Sequence, residues 1–176
     1  DTDEYSGIPV GAVYLNDEAP TIEYCDRGYA QMDADLTATF PGEDTNISSV
    51  TRDRKKYIAY VEGANNPGGV YHFVDMSNSE IFEIGRRHPG LTPQDVGAVK
   101  FFTYAARDGL SIPAYLTLPY GSSGKNLPLV VMPHGGPEAR DGNEFDGWSH
   151  FLASRGYAVL QPQFRGSDGF GKAFRD

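Results

Sequence analysis

The sequence reads as a mixed fold: an all-β part the size of the end of a β-propeller, followed by an α/β part. Two observations carry this reading. Residues 46–85 alternate short β-prone runs with turn clusters, which suits one four-stranded blade of roughly forty residues. Residues 127–161 instead run strand, helix, strand with short joints, the pattern of a right-handed crossover in a parallel sheet. A Pro- and Gly-rich stretch separates them. The expected division is therefore a propeller part at 1–85, a linker at 86–97 and an α/β part at 98–176.

Composition supports a folded chain and narrows its partners. The 176 residues suffice for one domain or two small ones. A hydrophobic content of 39% with 12% aromatics is enough for a packed core. The 21 glycines and 12 prolines favour short strands and turns over a helical bundle. A net charge of −9 repels phosphate, so neither nucleic acid nor an anionic membrane is an expected partner. No apolar run approaches membrane-spanning length. Cys25 is the only cysteine, which excludes an internal disulfide framework and a cysteine-rich zinc site. No metal or cofactor is expected. The compartment stays open between cytoplasm and periplasm or secretion. Neither end carries a start, leader or stop signal, so both are expected to continue into a longer protein.

In chain order, residues 8–15 and 20–25 read as two strands joined by a turn at Asn16-Asp17-Glu18. Tyr29, Met32, Leu36 and Phe40 then recur at helical spacing, a stripe that fits core packing, and Pro41-Gly42 stops the helix. Strands are expected at 46–51, 56–62, 69–75 and 80–84, separated by polar and glycine-containing turns. One blade cannot bury both faces alone and needs neighbours. The charged run Arg52, Asp53, Arg54, Lys55, Lys56 reads as a solvated turn, and Asn46-Ile47-Ser48 as a chance sequon. His88 falls in the linker with no acid or nucleophile motif beside it.

After the linker, strands at 99–106 and 111–118 flank a hairpin turn at Arg107-Asp108-Gly109. Gly124-Lys125 fails the phosphate-loop spacing. Residues 127–132 read as a buried central strand ending in His134-Gly135-Gly136-Pro137, a turn whose glycines let backbone N–H groups face an anion. A helix is expected over 144–155, capped by Asn143, with Phe145, Trp148, Phe151 and Leu152 as its apolar face. His150 would then sit at the surface or boundary. A strand at 157–161 leads into a glycine-rich loop. Its glycines do not match the dinucleotide fingerprint, and Arg165 and Asp168 read as partners internal to the loop.

The series Ala106-Arg107-Asp108-Gly109, Pro113-Ala114-Tyr115-Leu116, His134-Gly135-Gly136-Pro137, Ala153-Ser154-Arg155-Gly156-Tyr157 and Phe164-Arg165-Gly166-Ser167 with Gly169-Phe170-Gly171 resembles the prolyl oligopeptidase family of serine peptidases. Within it, the acylaminoacyl-peptidase and dipeptidyl-peptidase branch looks most similar. The resemblance implies a β-propeller followed by the first half of an α/β-hydrolase domain. It also implies peptide substrates short enough to pass the propeller. Carried over residue by residue, it makes the Gly136 N–H an oxyanion-hole donor, with His134 and Gly135 shaping the turn. The loss of one such donor typically costs roughly 3–4 kcal/mol.

One element of the pattern is missing. No serine in the chain has glycines two positions away on both sides, so there is no G-x-S-x-G elbow. None of His72, His88, His134 and His150 stands where the family's catalytic histidine would. The triad serine, acid and histidine are therefore expected outside 1–176, and the segment alone is expected to be inactive. Its expected partners are a peptide and the remainder of the hydrolase domain or a second chain, with homo-oligomerisation left open. An esterase on the same scaffold and a non-catalytic module are the alternative readings. The turn does not separate ester from amide, whereas the propeller part favours peptides.

Overall fold

The computed structural model of the chain describes residues 1–15, 20–136 and 138–176. The expected turn at Asn16-Asp17-Glu18 and the residue Pro137 lie outside them. The fold is mostly sheet with few helices, and the chain divides into two compact units. One comprises Asp1–Tyr14 with Thr21–Pro93, the other Leu15–Pro20 with Gln94–Asp176.

The first unit opens with all but the facing end residues of the paired strands β1 (Gly11–Leu15) and β2 (Pro20–Tyr24). Helix α1 (Arg27–Thr39) begins where the Asp26 carboxylate accepts the N–H groups of Gly28 and Tyr29, at 2.8 and 3.2 Å. The expected stripe is the one buried: Tyr29, Met32 and Leu36 pack against Ile47, Val50, Tyr57, Ala59 and Val61, with Phe40 at the margin. The second group of residues belongs to β3 (Asp44–Val50) and β4 (Lys56–Glu62). With β5 (Val70–Asp75) and β6 (Glu80–Arg86) these strands form a four-stranded antiparallel sheet in chain order. Strand β6 runs two residues beyond the expected end, because Gly85 and Arg86 still pair with Tyr71 and Val70 of β5.

The charged run after β3 is more than a solvated turn. Arg54 reaches Asp26 at 2.9 Å and Asp3 at 3.0 Å, and its guanidinium lies 5.3 Å from the centre of the Tyr29 ring. It joins the N-terminal segment, the helix cap and the β3–β4 turn. Lys56 pairs at 3.0 Å with Asp75, whose side chain is nearly buried. Sequence adjacency of like charges suggested solvation, but the acids that draw Arg54 and Lys56 inward are distant in the chain.

The second unit holds β7 (Val99–Ala105), β8 (Ser111–Thr117), β9 (Leu129–Val131), α2 (Gly147–Ser154), β10 (Ala158–Pro162) and a short α3 (Lys172–Arg175) that the sequence pattern did not announce. The strand order is β7-β8-β10-β9. Strand β10 is central, antiparallel to β8 and parallel to β9, with Val159 opposite both Thr117 and Val130. The expected strand–helix–strand crossover to a parallel neighbour is present. Gly97 enters this unit where a Cβ would stand 1.7 Å from the Leu118 carbonyl oxygen, so only glycine lets the chain pass.

Two expectations fail here. The 127–132 run is a three-residue strand at the sheet edge rather than a buried central one, with Leu129 and Val131 more than half exposed. An apolar run alone does not tell an edge position from a central one. The α2 helix starts at Gly147, not at 144, because the Asp146 carboxylate rather than Asn143 caps it, accepting the Ser149 N–H at 2.6 Å. Its buried face is not the apolar one either. Ser149, His150 and Ala153 are buried, whereas Trp148 is 73% and Phe151 53% exposed. Small residues let the helix approach β10 and β8 closely. His150 is thus interior, 3% exposed, with Nδ1 donating to the Asp146 carbonyl at 2.9 Å.

Two outcomes are expected. Replacing Leu36, 1% exposed beneath α1, by alanine destabilises the first unit by about 2–5 kcal/mol in urea denaturation followed by circular dichroism. Asp3 carries the second. Hydrogen bonds from the Ser6 backbone and hydroxyl, then the contact with Arg54, push its carboxyl down to about 2. A depressed folded-state pKa gives stability that is present above the unfolded value and lost as pH falls. The urea midpoint should therefore decline between about pH 4 and pH 2, less steeply in Asp3→Asn.

Candidate active site

The candidate site grows from the parallel pairing of β9 with β10. Parallel neighbours end at the same edge of a sheet, so the loops that follow them meet there. After β9 the Met132 N–H still pairs with the Leu160 carbonyl at 2.8 Å, and the chain then turns at His134-Gly135-Gly136. Gly136 has φ +135°, and a Cβ on it would stand 3.0 Å from the Glu138 nitrogen and 3.1 Å from the Ala139 side chain. Among the described residues, no backbone carbonyl accepts the N–H of Gly135 or Gly136. Both glycines are exposed. The sequence-derived residues Gly136, Gly135 and His134 therefore form one exposed turn beside the end of β9.

The loop after β10 holds this turn. Gln163, fully buried, grips Asp141 from both sides: its side-chain oxygen accepts the Asp141 N–H at 3.2 Å and its amide donates to the Asp141 carbonyl at 2.9 Å. Its own N–H goes to the Pro113 carbonyl at 2.8 Å. The Asp168 N–H donates to Ala139 at 3.0 Å. The His134 ring stacks on Phe164 with centres 4.4 Å apart, and its Nε2 lies 2.8 Å from the hydroxyl oxygen of Ser167. Arg165 pairs outside the loop, with Asp108 of the β7–β8 hairpin turn, and both side chains are more than half exposed. That solvated pair adds little stability. The expectation of a partner internal to the loop fails for Arg165, whose carboxylate partner is Asp108.

The electrostatics near the turn are lopsided. Burial pushes the Asp141 carboxyl upward, while His134 and a hydrogen bond from Gln161 oppose the shift, and Asp146 and Glu144 add to it. Among the described residues, Asp141 Oδ2 and Arg140 Nη1 are buried without a hydrogen-bond partner. Among them too, no group of three or more His, Cys, Asp or Glu could hold a metal ion, and no helix is long and apolar enough to cross a membrane.

No family model matches the chain. Dipeptidyl aminopeptidase BIII of Pseudoxanthomonas mexicana is 35% identical over 94% of the chain, and dipeptidyl peptidase family member 6 of Caenorhabditis elegans is 32% identical over 75%. The chain belongs to the prolyl oligopeptidase family of peptidases. It spans 24% and 20% of the lengths of these two relatives. The fold likeness extends to a Mycobacterium tuberculosis puromycin-hydrolyzing peptidase, with a TM-score of 0.63 at 18% identity over 94% of the chain and 26% of that structure. A puromycin hydrolase gives 0.61 at 22% identity over 94% of the chain and 25% of that structure.

For this prolyl oligopeptidase-family chain, sequence reasoning located the glycine turn but missed its supports. Ser167 and Gln163 were visible only as members of a glycine-rich segment. A buried polar side chain at a strand end is the signal that could have marked Gln163. A decisive check is Gln163→Leu. It leaves the Asp141 N–H and carbonyl unpaired, so a loss of about 1–3 kcal/mol and faster exchange of the Asp141 amide are expected by hydrogen-exchange NMR.

Proposed function

We propose that the chain is part of a serine peptidase that cleaves short peptides through an acyl-enzyme, with the Gly136 N–H as one oxyanion donor. The observation that carries this is the glycine turn, whose N–H groups are not taken by any described backbone carbonyl. A fixed donor at the point where charge develops needs no reorganisation during reaction. In this reading residues 1–85 end a β-propeller, 86–97 link, and 98–176 begin an α/β-hydrolase domain. The peptidase names of the relatives support the chemistry in general. The nucleophilic serine, the acid and the base would come from outside 1–176. A serine would attack the peptide carbonyl and a histidine would move its proton.

The sheet edge supports the same reading. The outer side of β9 has no neighbouring strand among the described residues, and Leu129 and Val131 stand open on it. An open edge with apolar side chains is a place for another strand to add, either from the remainder of the hydrolase domain or from a second chain.

The test removes the donor and nothing else. In the intact protein, an ester bond in place of the Gly136 amide should lower kcat about 10²–10³-fold with KM little changed. An unchanged kcat would overturn the oxyanion assignment. Residues 1–176 alone should neither hydrolyse an aminoacyl p-nitroanilide nor react with a fluorophosphonate.

A further inference from the structure

The Gly135 carbonyl and the Gly136 N–H are two ends of one peptide unit. Such a unit is planar, and in its trans form the two groups point in opposite directions. Whatever holds the carbonyl therefore sets the direction of the N–H. The group that holds it is His134, whose Nδ1 lies 2.8 Å from the Gly135 oxygen. A carbonyl offers no proton, so Nδ1 carries it. In the neutral ring Nε2 then presents a lone pair. Ser167 Oγ lies 2.8 Å from Nε2 and supplies the matching hydroxyl proton. Ser167 is 0% exposed, so its hydroxyl has no bulk water to turn to. Phe164, stacked 4.4 Å away, restrains the ring from flipping.

We infer that Ser167 and His134 form a positioning relay, from the Ser167 hydroxyl through the imidazole to the Gly135 carbonyl, that aims the Gly136 N–H at the oxyanion. This rests on the oxyanion reading of Gly136. The opposite tautomer would set the Nδ1 lone pair against the carbonyl oxygen, and the peptide unit would have to rotate. The pair resembles a nucleophile and its base, but two features separate it from one. Its Nδ1 partner is a backbone carbonyl rather than a carboxylate, and its hydroxyl has no exposed surface. Ser167 therefore positions and does not attack. The relay is anchored by Ser167 N–H to Phe164 and by Asp168 N–H to Ala139, each at 3.0 Å, which keep the serine's loop against the turn.

The experiment reads tautomer and turnover separately. In the chain labelled with ¹⁵N-histidine, the His134 signals, assigned through His134→Asn, should show a protonated Nδ1 and an unprotonated Nε2. Ser167→Ala should give a tautomer mixture, and Ser167→Thr should keep the native form. In the intact protein Ser167→Ala should lower kcat about tenfold to a hundredfold while KM changes less than about twofold, with recovery in Ser167→Thr. If the threonine methyl disrupts the loop, Ser167→Cys, a weaker donor of similar volume, should fall between serine and alanine. A native ring protonated on Nε2 overturns the relay itself. A tautomer mixture with kcat unchanged overturns the oxyanion reading beneath it. Those two failures are distinguishable.

Discussion

A backbone N–H that must face a ligand cannot be held by hydrogen bonds of its own, because such a bond would consume it. In the proposed reading, that constraint governs the second unit. The donors of Gly135 and Gly136 stay free of described backbone carbonyls, and the order around them comes from the neighbouring loop. Gln163 brackets Asp141, Asp168 holds Ala139, and Ser167 holds the ring of His134. Each contact grips a residue beside the donors and leaves the donors themselves unspent. The arrangement depends on β9 and β10 running parallel, since only then do both loops leave the sheet at one edge. The crossover helix α2 makes the parallel pairing possible. Its small inward residues Ser149 and Ala153 let it lie close over the strands.

The first unit solves a different problem with a similar device. Its four-stranded antiparallel sheet gains a cover on one face from α1, through Tyr29, Met32 and Leu36. Arg54 ties together the two carboxylates that organise the start of that helix, Asp3 and Asp26. Each acid also accepts nearby backbone N–H groups, so the guanidinium joins turns that are already formed locally. The other face carries Tyr60, Tyr71, Phe73 and Phe82 in register across three strands. Tyr71 and Phe82 on it remain substantially exposed.

The parts legible from sequence were those set by local chemistry. The apolar stripe of α1, the Asp108-Gly109 turn and the strands from 56 to 86 rest on periodicity and turn residues, and they stand within two residues of their expected bounds. The glycine turn after β9 was legible because only glycine suits φ +135° at Gly136. The α2 helix shows the limit of such reasoning. Its aromatic residues pointed to a buried face, yet the cap at Asp146 set a start three residues later than expected, and packing on β10 and β8 took the side of Ser149, His150 and Ala153, leaving Trp148 and Phe151 outward.

By itself, then, the sequence determined the kinds of element, their order and the place of the glycine turn, because propensity, periodicity and positive φ are properties of a few adjacent residues. Tertiary structure alone decided which strand is central, which helix face is buried and which side chains hold the turn. Strand order assigned β9 to an edge and β10 to the middle. Folding across 33 residues brought Ser167 to His134, and across 22 residues Gln163 to Asp141. Contacts of that separation leave no periodic trace in the sequence, because they follow from how the strands pair rather than from what lies beside each residue.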